Sequence, residues 1–108
     1  MQPQPAIDMP FTHEATLHLL RLGADPEQLQ YSHQQIAEWC DRFWRQYMDI
    51  DAEPDIEKLM PILADVDKEW EWDLHLACKY SQKELQSRDF QHETMPHEWF
   101  REWLRQIA

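Results

Sequence analysis

Glycine is almost missing from this chain: Gly23 is the single one in 108 residues. Tight β-hairpin turns commonly need a backbone with φ above zero, which glycine supplies, so its scarcity argues against a strand-rich fold. It also excludes a phosphate-cradling loop, which needs several glycines together. Basic side chains are scarce too, with ten Lys and Arg against twenty-one Asp and Glu and a net charge of −11. So acidic a chain repels nucleic acid and anionic lipid. There are only two cysteines, Cys40 and Cys78, without the CxxC spacing of a metal or redox motif. Both fall on apolar helical stripes, where a free thiol acts as a small hydrophobe, as suits a reducing compartment. No apolar run approaches the ~18 residues of a spanning helix. The opening segment from Met1 to Asp8 has neither the cationic nor the apolar region of a secretory signal. The expectation is a cytoplasmic protein with no membrane partner, no nucleic-acid partner and no cofactor.

What the chain does hold is charge in one place and aromatic mass everywhere else. Between Asp49 and Asp73 lie ten acidic side chains and two basic ones, a local net charge of −8. Such a concentrated field attracts basic proteins and cations. Hydrophobic residues make up 43% of the chain and six are Trp. That is too apolar for a disordered acidic chain and enough for one packed core. The fold class is therefore all-α: a compact bundle of about five to six helices. Residues 1–10, with three of the seven prolines, read as a short disordered tail, and residues 11–108 as one helical domain.

Helix signals are frequent. Thr12 caps a first helix from about His13 to Leu22, with Gly23 as its left-handed stop, and Asp25-Pro26 opens a short turn. Ser32 and Gln35 form a capping box, with Tyr31 and Ile36 as its hydrophobic staple. The helix that follows lines up Ile36, Cys40, Phe43 and Tyr47, flanked by Trp39, Ala37 and Trp44, and turns Gln34, Gln35, Glu38, Asp41, Arg42 and Arg45 to solvent. The same device recurs at Ser81 and Glu84, but the residues after it do not match, so the chain is not duplicated. From Ile56 the apolar positions run Leu59, Leu63, Val66, Trp70, Leu74, Ala77, straight past Pro61. An interior proline costs ~3 kcal/mol, so the helix is expected to break at Met60-Pro61. The phase shift there would also carry Asp67 out of the apolar arc. A last helix from Pro96 to Ile107 gathers Trp99, Phe100, Trp103, Leu104 and Ile107 on one face. Cys40, Phe43, Trp70, Trp99 and Trp103 are the expected core.

Constellations that carry chemistry are few. The alternation Asp49, Asp51, Glu53, Asp55, Glu57 resembles an EF-hand loop, but Pro54 and Met60 stand where that loop needs Gly and Glu. His13-Glu14, His92-Glu93 and His97-Glu98 each lack the second His of a zinc-protease signature. Asp67, Glu71 and His75 stand at i, i+4 and i+8 and form a weak metal-binding candidate; a helical surface in an acidic region produces such rows by chance. The stronger anomaly is Trp72 with Leu76, on the side of the helix opposite Val66, Trp70 and Leu74. They are either sandwiched between neighbouring helices or an exposed aromatic anchor with Asp65, Glu69 and Asp73 as a charged rim, the build of an interface hot spot.

These features favour a non-enzymatic, acidic helical interaction module that binds a basic protein partner through Asp65, Glu69, Trp72, Asp73 and Leu76. Its composition is of the physical type of inhibitor, immunity and antitoxin proteins. That analogy assigns no residue. The alternative is a small accessory subunit or homo-oligomeric structural protein, and a metal-dependent enzyme on the Asp67 row stands behind both.

Overall fold

Each helix begins where the sequence supplies a cap or a proline. The computed structural model describes residues 6–28, 30–76 and 94–107, with residues 74–76 given by backbone alone. Helix α1 spans His13–Ala24, with the Thr12 hydroxyl accepting from the Ala15 N–H at 3.1 Å. Helix α2 spans His33–Tyr47 behind the capping box: Gln35 N–H donates to Ser32 Oγ at 3.1 Å, and Ser32 N–H to Gln35 Oε1 at 2.9 Å. A single turn, α3, covers Pro54–Glu57; α4 runs Met60–Leu76 and α5 His97–Ile107. Among the described residues there are thus four helices longer than one turn and no strand, slightly fewer helices than the sequence suggests. The helix expected after Ser81, with Cys78, lies outside the described residues.

The chain breaks before Pro61, as its cost inside a helix requires. Lys58 and Leu59 separate α3 from α4, and Pro61 falls in the first turn of α4, where its missing N–H is not needed. The break does not carry Asp67 outward, however. Asp67 stays half-buried against α2, close enough to Cys40 and Asp41 for their charges to interact. About 100° per residue from Val66, it sits on the α2-facing shoulder of the apolar arc.

Two helix pairs make the bundle: α1 packs on α5 and α2 on α4, and a smaller α1–α2 contact joins them. The core between them is Leu19, Leu20, Ile36, Phe43, Leu63, Val66 and Phe100, all fully buried, with Trp39, Trp70 and Trp103 around it. Cys40 is buried and free. Four of the five expected core residues are buried; Trp99 is only partly so, at the rim of α5. The Cα radius of gyration is 13.8 Å, near the ~13 Å expected for a compact domain of this length.

Two further expectations change. Gly23 does not end α1 in a left-handed turn; it lies inside the helix, and Asp25 is the C-cap with φ −94°. What position 23 requires is closeness: a Cβ there would stand 2.3 Å from the Phe100 ring. The tail, disordered by expectation over residues 1–10, is docked from Ile7 onward, with Ile7 2% exposed. It covers the Trp39 side of α2. The first turn of α2 is covered as well, with Gln34 and Gln35 each 8% exposed where solvent was expected.

Candidate functional site: the outer face of α4

The phase of α4 decides which of its acids face what. Leu59, Leu63, Val66 and Trp70 turn to the core. At about 100° per residue, Asp65 and Glu69 fall on one shoulder of that arc and Asp67 and Glu71 on the other, while Asp73, expected on the rim, falls within the arc itself and has its Oδ2 buried. Trp72 falls between the two acid rows, roughly opposite the core, and is 55% exposed. It is the only exposed one of the six tryptophans, and among the described residues no helix lies over it. The side chains of Leu76 and His75 lie outside the described residues.

The two shoulders differ in how their charge is held. Asp65 is partly buried, and its Oδ2 accepts from the Trp103 indole N–H at 2.7 Å, tying α5 to α4. A hydrogen bond to a charged acceptor contributes more than a neutral one, about 1.5–3 kcal/mol, so Asp65 is a structural group as well as a member of the rim. Glu69 is partly exposed on the same shoulder, whereas Asp73 is partly buried with its Oδ2 out of solvent, so it is not an open member of the rim. On the other shoulder Asp67 faces α2. Burial and then the charges of Asp41 and Glu71 push its carboxyl up to about 6, with Arg45 pulling the other way. Arg45 is itself engaged by Asp41 at 2.9 Å. The Cys40 thiol beside them is pushed well above its usual range by burial first and then by Asp67 and Asp41. Such a thiol is inert as a nucleophile.

Among the described residues no three His, Cys, Asp or Glu side chains are grouped to hold a metal ion. Asp67 and Glu71 share a shoulder; the third member of the proposed row, His75, is not described beyond its backbone. The acidic connector that follows α2 is exposed, with Met48 48% and Ile50 57% accessible beside it. Its one described side-chain tie is Glu57 accepting from the Ala52 N–H at 3.2 Å.

Sequence reasoning missed the densest polar site. At the junction of α1, α2 and α5, the Met95 N–H donates to His33 Nδ1 at 2.8 Å. That leaves the proton on Nε2, which donates to the Gly23 carbonyl at 3.1 Å. His97 Nδ1 bonds the same carbonyl at 3.0 Å, and the His33 ring lies on Phe100 with centroids 4.6 Å apart. Burial is the main cause that pushes the His33 imidazole down to about 4; the nearby His97 adds to it and the Gly23 bond opposes it. His33 is neutral, saturated and 3% exposed, which makes it a joint between helices rather than a reactive group. Nothing in the sequence signals this, because the three hydrogen bonds of the site join residues 10, 62 and 74 positions apart along the chain.

No family model, no curated protein and no solved structure matches this chain. Among the described residues no helix is long and apolar enough to cross a membrane.

Proposed function

We propose that this chain is a non-enzymatic interaction module whose α4 face captures a basic protein partner, in the manner of inhibitor, immunity or antitoxin proteins. The observation that carries the reading is the exposure of Trp72, 55% open between two rows of carboxylates. Burying such a ring removes ~150–250 Å² from water, enough for an anchor worth ~2 kcal/mol or more. The −8 charge between Asp49 and Asp73 supplies the complementary part, a long-range field that raises the rate of encounter with a cationic surface. A homodimer closed on the same face is the second reading, favoured by the same exposed ring. It is opposed by charge, since two copies would bring like fields together.

The test compares the wild-type chain with two variants as baits for native lysate at low salt. Glu69→Lys with Glu71→Lys, two acids of α4 that reach solvent, is expected to abolish salt-sensitive capture of a basic protein that the wild type retains. Trp72→Ala is expected to keep the association rate with that protein and raise its dissociation rate about thirtyfold, the kinetic equivalent of such an anchor. Asp65 is left intact because the Trp103 indole depends on it. Retention of the same proteins by wild type and charge-reversed chain would overturn the reading. A wild-type dimer, stable in high salt and lost in Trp72→Ala, would establish the second.

A further inference from the structure

Residues 7–11 lie against α2 with the alternating burial of an extended chain. Ile7 is 2% exposed, Met9 and Phe11 pack on the core, and Asp8 and Pro10 face solvent. What α2 reads in this segment is its backbone. Arg42 Nη2 donates to the Ile7 carbonyl at 3.1 Å, and Trp39 Nε1 donates to the Met9 carbonyl at 3.3 Å. Residues three apart on a helix are separated by ~4.5 Å along its axis, and carbonyls two apart on an extended chain by ~6.6 Å. The long Arg42 side chain spans the difference. Phe11 packs against the same stretch of α2, its ring centroid 5.5 Å from that of Trp39 and 5.0 Å from that of Phe43.

Donors aimed at alternate carbonyls select an extended conformation, and pockets for alternate side chains select apolar residues. Peptide-recognition grooves combine these two elements. Pro10 adds to this by holding Met9 in the extended region, so the segment arrives preorganised. The geometry points to α2 as a docking groove for an extended segment of a partner protein with apolar residues at alternate positions, residues 7–11 being its tethered occupant. A tethered occupant competes at an effective concentration on the order of millimolar. A free segment that makes the same contacts therefore binds this chain weakly until the tether is loosened. This groove is distinct from the α4 face and uses neither its charge nor Trp72.

The probe is a capped synthetic peptide with the sequence from Ala6 to Thr12, titrated into the full isotope-labelled chain. The readout is the indole N–H signal of Trp39, assigned by its loss in Trp39→Phe. A saturable shift is expected in the wild type. In Ile7→Asp, which loosens the occupant, apparent affinity is expected to rise about tenfold or more. A peptide with the positions of Ile7, Met9 and Phe11 changed to Ser should not bind. One with Asp8 and Pro10 changed to Ser and Ala should bind within about threefold of the parent, because those side chains face away from the groove. Absence of a saturable Trp39 shift in a folded Ile7→Asp chain overturns the proposal, and so does equal binding of the serine peptide. If Ile7→Asp unfolds, the wild-type titration carried to several times the tether's millimolar level decides: no saturable shift there overturns it as well. Neither outcome bears on capture of a basic protein at α4.

Discussion

Two titratable sites, one buried and one half-buried, stand at different levels along α2 and are built on opposite plans. At its N-terminal end, His33 gives both ring nitrogens to backbone partners from α1 and from the approach to α5. At its middle, Asp67 of α4 sits among Asp41 and Glu71, and the cation near it, Arg45, is bridged to Asp41. Burial penalises the charged form of both groups. In the first the fold has accepted the neutral form and put it to structural use. In the second it holds a charge against its preference. The difference separates a joint, where polar groups stabilise, from a face where acidic density is retained at a cost in stability.

Breaking the joint should have the largest effect. His33→Leu removes the acceptor of a buried Met95 N–H and one of two donors to the Gly23 carbonyl, and should cost about 3 kcal/mol at neutral pH. Urea denaturation followed by circular dichroism measures it. The sign of its pH dependence follows from the depressed imidazole. Unfolded His33 binds a proton near 6.5 and folded His33 only near 4, so its contribution is complete above 6.5 and is lost as pH falls toward 4. The loss amounts to about 3 kcal/mol. His33→Leu should abolish that part of the acid sensitivity, and an unchanged slope between those limits would show that the imidazole is not the titrating group.

Relieving the crowded seam should act more weakly and with the opposite sign. Asp67 is raised from 3.8 to about 6 in the fold. Its stabilising contribution is therefore full below 3.8 and lost as pH rises through 6. Asp67→Asn should stabilise the protein by about 1 kcal/mol at neutral pH, a half-buried carboxyl being partly screened by solvent. The gain should shrink on acidification through 6 and vanish below 3.8. A loss of stability at neutral pH would mean that the carboxylate is a needed partner rather than a crowded one.

The smallest effect should come from Trp72, which belongs to neither site. Trp72→Ala should change stability by no more than about 0.5 kcal/mol, while removing the tryptophan fluorescence most accessible to acrylamide. A destabilisation of several kcal/mol would place the ring in the core and leave the α4 face without its anchor.

How far the sequence carries depends on the range of the interaction concerned. The Ser32 capping box, the Thr12 cap and the stop before Pro61 are decided within a turn of helix, and each is legible in a few residues. The apolar stripes of α2, α4 and α5 follow from period, and so does the outward phase of Trp72. Periodicity did not tell whether the ring was covered, since that depends on whether another element lies over it. The His33 joint, the docking of residues 7–11 and the inward turn of Asp67 are all contacts between distant segments. A proline-rich opening reads as flexible because its own residues offer no ladder of bonds; here Trp39 and Arg42 supply the bonds from 30 and 35 residues away.

Gly23 carries a consequence for anyone seeking relatives of this chain or trying to improve it. Replacing a helical glycine by alanine is a common route to higher stability, worth about 1 kcal/mol from helix propensity. At position 23 the added methyl would meet the Phe100 ring at 2.3 Å, and α1 and α5 would have to part. The separation of those two helices is thus set by a pair of residues, one with no side chain and one with a large flat one. A divergent chain of the same fold that bears a side chain at position 23 should carry something smaller at position 100, so the two positions should vary together or not at all.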